Sequence, residues 1–237
     1  MGLYRDQGVV LRTMRLGESD RIVTLVTAGR GKVRAVAKGV RKTKSRFGAR
    51  LEPMGHVSML LYEGRELDIV TQAESLDHFR VIREDLDRLR KANTVLEAVD
   101  QVAQEGHANV RLYQMTVGAL RALAAHDAAM LVPAFFLKLL SLEGFHPVLD
   151  TCAACDEPKG LVAFDLGVGG AMCGSCAGGR ALPVSAEALA LVRRVLDGNL
   201  VVAMSEPPGP VATEVTRLAI AAMEYHLERR LRSVDIM

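Results

Sequence analysis

The chain has 237 residues, of which 49% are hydrophobic and 24% charged, with 21 Gly, 8 Pro and 4 Cys. That length suits one large domain or two to three small ones at roughly 100–150 residues each, and the composition excludes a disordered, collagenous or low-complexity chain. The net charge of +2 conceals a split: residues 1–80 carry 15 Lys/Arg against 9 Asp/Glu, the remainder 15 against 19. Such a split suggests a basic module that meets a polyanion, attached to a mildly acidic body.

No run of about 18 apolar residues suggests a membrane span. The densest stretch, Ala128 to Leu142, is interrupted by Pro133 and Lys138. The opening lacks the apolar core of a signal peptide, and Asp6 stands where a myristoylation signal needs Ser or Thr. The expected location is the cytoplasm.

The first 80 residues read as strands. Leu3 to Met14, Arg21 to Thr27, Lys32 to Lys38, His56 to Tyr62 and Glu66 to Gln72 are short, partly alternating and rich in Val, Leu, Ile and Thr. Turn signals separate them at Leu16-Gly17, Gly29-Arg30-Gly31 and Glu63-Gly64-Arg65. Five short strands in so little chain predict a small barrel of the oligonucleotide-binding (OB) type.

From Arg83 the period changes. Leu86, Leu89, Ala92, Leu96, Val99 and Ala103 recur at helical spacing. A second helix is predicted over Val110 to Ala125. A third, near Ala129 to Glu143, is apolar almost all round and should be buried, with Pro133 in its first turn and Gly144 closing it. Ser185 reads as the N-cap of a helix over Ala186 to Asp197, with Gly198 just past its end. Pro210 opens a last helix to about Arg232. The fold class is therefore α+β and multidomain. Its parts are an OB domain over 1–80, a helical domain over 81–149 and 181–237, and a four-cysteine segment over 150–180.

Cysteine gives the sharpest local signal. Cys152-x2-Cys155 and Cys173-x2-Cys176 are separated by seventeen residues, enough for a hairpin that brings both pairs to one point. Four thiolates satisfy tetrahedral zinc and leave no open position for water, so such a site is structural. Large apolar residues are few in this segment, and metal binding would supply folding energy. Two disulfide or redox pairs and an iron–sulfur cluster are the competing readings.

The basic run is second. From Arg30 to Arg50 there are nine Lys/Arg and no acid. Alternation puts Lys32, Arg34, Val36 and Lys38 on one strand face, which is mainly charged, and Val33, Ala35 and Ala37 on the other. The loop beyond carries Arg41, Lys42, Lys44 and Arg46. A charged groove wall with a basic rim suits a phosphate backbone. Aromatic residues are sparse here, and there is no Trp, so contact should lean on phosphates more than on bases. The alternative is an ordinary solvated charged face.

Catalytic patterns are absent. Val33 follows Gly31-Lys32, which breaks a P-loop, and Met172 stands where a dinucleotide fingerprint needs its third Gly. No G-x-S-x-G elbow occurs, and the lone H-x-E, at His226 to Glu228, follows the cysteines instead of preceding them. The expected protein is not an enzyme.

The sequence also resembles the RecO family of DNA repair and recombination mediators. The resemblance rests on Gly8-Val9-Val10-Leu11-Arg12-Thr13, Gly17-Glu18-Ser19-Asp20-Arg21-Ile22-Val23-Thr24-Leu25 and Gly31-Lys32-Val33. It continues in Ala35-Val36-Ala37-Lys38-Gly39-Val40-Arg41-Lys42, Ser45-Arg46-Phe47-Gly48 and Leu51-Glu52-Pro53. It implies a protein that binds single- and double-stranded DNA and anneals complementary strands. It also implies work with RecR and single-stranded DNA-binding protein in loading the RecA recombinase. DNA contact would fall on Lys32, Arg34, Lys38, Arg41, Lys42, Lys44 and Arg46, and one Zn2+ per chain on Cys152, Cys155, Cys173 and Cys176. A zinc-containing protein adaptor with an RNA-binding barrel is the second reading, and an unrecognised metal enzyme a third.

Overall fold

The computed structural model describes residues 2–42, 45, 47–198 and 204–234. Five strands, β1 (Leu3–Leu16), β2 (Asp20–Thr27), β3 (Gly31–Ala37), β4 (His56–Tyr62) and β5 (Asp68–Asp77), close a barrel in the order β1-β2-β3-β5-β4. Neighbours are antiparallel except β3 and β5, which run parallel through Ala35↔Asp68 and Val36↔Ile69. This is the OB-like barrel that the turn spacing predicts. β1 is long because it serves two partners. Its first half pairs with β4 and its second with β2, and the register shifts between Val10 and Arg12. Such an extra residue bends a strand and increases its twist, which carries β1 around the barrel.

β5 differs from its predicted span. It starts at Asp68 and runs on to Asp77, with Ser58↔Glu74 and Val57↔Ser75 in register. Its second half alternates half-buried and exposed positions, so its apolar content is too low to mark a strand.

The barrel is filled by Val10, Val23, Leu25, Val33, Ala35, Val57, Met59, Leu61 and Val70. Phe47 and Leu51, flanking a 3-10 turn at Gly48–Leu51, join this core. β2 is buried on both faces, since Ile22, Thr24 and Val26 are as inaccessible as Val23 and Leu25. The outer strip is covered by α2 (Leu86–Val102) and α3 (Val110–Ala125), which both pack on β1 and β2. A short α1 (Arg80–Arg83) precedes them. Asp85 caps α2 by accepting from the amides of Asp87 and Arg88, and Asn109 caps α3 through the Leu112 amide. Leu86, expected on the apolar face, is instead exposed in the first turn; burial begins deeper, with Ala92, Val95, Leu96 and Val99.

Tyr113 joins α3 to the barrel through its hydroxyl, which donates to Gln7 Oε1 at 3.4 Å. His56 Nε2 lies 2.7 Å from the Tyr113 hydroxyl, and burial pushes the imidazole below its ordinary pKa.

The chain divides into two compact units between His126 and Asp127. α1, α2 and α3 thus fall in the unit of the barrel, whereas the sequence places 81–149 with 181–237 in a helical domain. The apolar outer strip of β2 accounts for the difference, because it must be covered by something.

The second unit contains α4 (Leu131–Leu142), β6 (Leu161–Asp165), β7 (Gly170–Cys173), β8 (Leu182–Pro183), α5 (Ala186–Leu196) and α6 (Pro210–Leu227). The strands form a sheet in the order β7-β6-β8. α4 is the core helix: Phe135, Phe136, Leu137, Leu139 and Leu140 are all buried, and α5 and α6 pack against it. Pro133 sits in its first turn, and Gly144 follows it with φ +96. Ser185 caps α5, accepting from the Ala188 amide and donating to Glu214 at 2.6 Å. α6 stops at Leu227, short of the expected Arg232. Glu228 takes a left-handed φ of 52, and the chain turns back to bury Leu231, whose amide donates to the Glu224 carboxylate. Among the described residues no helix is long and apolar enough to cross a membrane.

Candidate nucleic-acid interface and metal centre

β3 alternates as predicted, with Val33, Ala35 and Ala37 facing the barrel core and Lys32 and Arg34 on the other side. That other side is not open. Asp100, near the end of α2, accepts from Arg12 Nε at 2.7 Å and lies 3.3 Å from Lys32 Nζ. Lys32 also donates to the Asp100 carbonyl. Glu105, in the α2–α3 connection, stands 3.9 Å from Arg34. The backbone of that connection lies on the strand too, since the Lys32 amide donates to the Gln104 carbonyl at 2.9 Å. Gly31 makes this approach possible: a Cβ there would stand 2.1 Å from the His107 carbonyl oxygen. Lys32 is therefore held by Asp100, while Arg34 is only loosely paired with Glu105.

The loop after β3 is different. Lys38, Arg41 and Lys42 are all exposed. Neither Lys38 nor Lys42 has a carboxylate partner among the described residues, and the Arg41 guanidinium donates to a neutral acceptor, the Glu18 carbonyl, at 2.8 Å. Lys44 and Arg46 lie outside the described residues. The loop is nonetheless fixed. The Arg41 amide donates to the Ser19 carbonyl at 3.0 Å, and the Gly39 amide to Asp20 Oδ1 at 2.7 Å. The Gly39 amide, helped by the Ser19 hydroxyl and the fields of Lys38 and Lys42, holds the Asp20 carboxyl below its ordinary pKa. These bonds stitch the β1–β2 turn to the end of β3.

That stitching brings in two further cations. Arg15 and Arg21 are directly opposite in the β1–β2 ladder, and Arg21 is opposite Ala37 in the β2–β3 ladder. The sequence reading passes over both. The signal is the Leu16-Gly17 turn, which fixes a register that sets the two arginines face to face.

The four cysteines meet. Their sulfurs all lie within 4.8 Å of one another, and none is in a disulfide. β6 and β7 form the hairpin between the pairs, and each C-x-x-C turn carries its own backbone bonds: Cys152 accepts from the Asp156 amide, and Cys173 from the amides of Cys176 and Ala177. The Cys155–Cys173 separation is 3.8 Å. That matches the edge of a tetrahedron whose metal–sulfur bonds are about 2.3 Å. Backbone amides at Cys173 and Ala154 bring the Cys152 thiol down to about 6. The sulfurs of Cys155 and Cys173 push Cys176 up to about 12. Such crowding of thiols is resolved by a cation, and the donor set fits a metal ion. The core beneath is thin, consisting of Ala163 and Met172 with the cysteines.

A groove opens elsewhere in the second unit, with a volume of about 380 Å³. Phe145 stacks on His226 at 3.9 Å, and Tyr225 meets His226 edge-on at 5.4 Å. Leu137, Leu140 and Leu218 also line it, and Phe145 and Tyr225 are both half exposed.

A five-stranded OB-like barrel with a fixed basic loop, followed by a helical unit carrying four clustered cysteines, defines a two-part α+β class of protein with a metal-type donor set. A family profile described as Recombination protein O N terminal matches residues 1–79, and one described as Recombination protein O C terminal matches residues 83–235. The chain belongs to the recombination protein O (RecO) family, whose members act in recombinational DNA repair.

Proposed function

We propose that this chain is a non-catalytic mediator that binds DNA strands through phosphate charge, anneals them, and assists RecA loading onto single strands coated by single-stranded DNA-binding protein. The observation that carries this reading is the exposed cluster of Lys38, Arg41 and Lys42, held in place by the β1–β2 turn and without a carboxylate partner for either lysine. A preorganised set of exposed cations attracts a polyanion, and a phosphate backbone releases counterions on meeting it. Lys44 and Arg46 extend the same loop in sequence. Lys32 and Arg34, by contrast, are assigned a fastening role. RecR is the family partner that acts beside it. The Phe145–Tyr225–His226 groove is apolar enough for the apolar end of an acidic peptide, which suits the tail of the single-strand binder. Zinc is the metal proposed for Cys152, Cys155, Cys173 and Cys176. It would hold residues 150–180 in shape without entering any reaction.

Binding to a single-stranded oligonucleotide across a salt series tests the reading. With about four to six phosphates neutralised, the log–log slope is expected near −3 to −4, so raising salt from about 50 to about 200 mM weakens binding on the order of 100-fold. Replacing Lys38, Arg41 and Lys42 by Ala flattens the slope by about two and slows annealing. Chelation of the metal loosens residues 150–180 and spares most of the affinity. A triple variant with unchanged slope and annealing rate refutes the proposed interface, and loss of all binding on chelation refutes the proposed role of the metal.

A further inference from the structure

We infer that Arg15 and Arg21 form a two-arginine phosphate fork at the mouth of the barrel, continuous with the basic loop; the inference rests on the DNA-binding reading above. The two residues are directly opposite across β1 and β2, where Cα atoms are about 4.5–5.5 Å apart. Like charges so placed destabilise a sheet. Glu52 answers only one of them, bonding to Arg21 Nη1. Arg15 is exposed and has no carboxylate partner among the described residues.

The direction of the pair follows from the ladder. Thr13↔Val23 and Val23↔Ala35 are the next positions on the same face, and Val23 and Ala35 lie in the barrel core. Arg15 and Arg21 therefore continue the inward-facing row to the rim of the barrel, beside Ala37 at the edge of the core. They are not on the outer face that α2 and α3 cover, which is where Arg12 and Lys32 find Asp100. Arg21 is opposite Ala37, the residue before Lys38. Successive strands are about 4.8 Å apart, so Arg15, Arg21 and the start of the basic loop succeed one another across three strands. The bonds from Arg41 to Ser19 and from Gly39 to Asp20 fix this end of the barrel. Arg15, which no carboxylate engages among the described residues, takes the phosphodiester, and the Arg21 N–H donors that Glu52 leaves open complete the pair. A bound phosphate removes the repulsion that the free protein carries.

The test compares wild type, Arg15→Gln, Arg15→Lys and the Lys38/Arg41/Lys42 triple variant in single-strand binding and in thermal melting without DNA. Arg15→Gln is expected to flatten the salt slope by about 0.7, one phosphate contact, and to weaken binding at least about threefold. Its DNA-free melting temperature should rise, because a like-charge contact is relieved. Inorganic pyrophosphate should raise the melting temperature of wild type more than that of Arg15→Gln. Arg15→Lys should keep the slope. If Arg15→Gln binds as wild type while the triple variant is impaired, the fork is refuted and the wider interface stands. If neither variant is impaired, the DNA-binding reading itself fails. If Arg15→Gln melts lower than wild type, the residue is structural and the inference is overturned.

Discussion

The basic run from Lys32 to Lys42 is continuous in sequence, yet its two halves meet different fates. In the strand half, Lys32 and Arg34 lie against Asp100 and Glu105. In the loop half, Lys38, Arg41 and Lys42 remain in solvent. Strand alternation is the same physical rule in both readings, and it correctly assigns faces. It does not say whether a face is open. The outer face of β2 is apolar, so helices cover it, and the carboxylates those helices carry neutralise the flanking cations. Charge density along a chain marks an interface only where no distant acid arrives.

The two glycines that bracket β3 give the largest expected contrast. Both take left-handed backbone, with φ +68 at Gly31 and at Gly39. A Cβ at Gly31 meets the His107 and Gln104 carbonyl oxygens at 2.1 and 2.7 Å, whereas one at Gly39 meets only the Lys42 side chain at 3.6 Å. A left-handed non-glycine residue costs about 1–2 kcal/mol, and forced overpacking about 1–3 kcal/mol more. Gly31→Ala should therefore lose about 3 kcal/mol or more in denaturant unfolding, and Gly39→Ala about 1 kcal/mol. Equal losses would mean that the α2–α3 connection is not pressed onto β3.

The same cover is probed more mildly at Asp100. Its side chain is 14% exposed and that of Lys32 16%, so removing the carboxylate leaves a largely buried ammonium with the Asp100 main-chain carbonyl but no countercharge. Asp100→Ala should cost about 2 kcal/mol, read as an earlier midpoint at constant slope. The accompanying change in DNA affinity should be small. A large gain in affinity would instead mean that Asp100 shields a working interface.

Much of the architecture is legible from local pattern. β4 and α3 match their predicted bounds, because turn and capping residues mark both ends. The C-x-x-C spacing likewise points to one cluster, since each turn and the hairpin between them are local. What escapes the sequence is non-local or negative evidence. β5 runs past Gln72 through Glu74 and Asp77, where no apolar rhythm survives. α6 ends early because Leu231 is drawn back to a buried position by Glu224. The pairing of Lys32 with Asp100 spans 68 residues, and nothing near Lys32 announces it. Arg15 and Arg21 stand outside the basic run and enter the site only through the hairpin register.

The smallest expected effect is also the one that most directly separates the two halves of the basic run. Lys32→Ala with Arg34→Ala removes as much formal charge as two of the three loop substitutions. If charge content alone governed binding, the double variant would flatten the salt slope by about 1.4, at about 0.7 per phosphate contact. The structure gives a different expectation. Asp100 keeps its hydrogen bond from Arg12 when Lys32 is lost, and Glu105 is more than half exposed, so water solvates it when Arg34 is lost. The cations removed were already answered by carboxylates, and no condensed counterions are released where no phosphate sits. The slope should stay within about 0.3 of wild type, while a modest fall in stability reports the lost Lys32–Asp100 contact. A double variant as impaired in DNA binding as the loop triple variant would show that the α2–α3 connection lifts off β3 when DNA arrives.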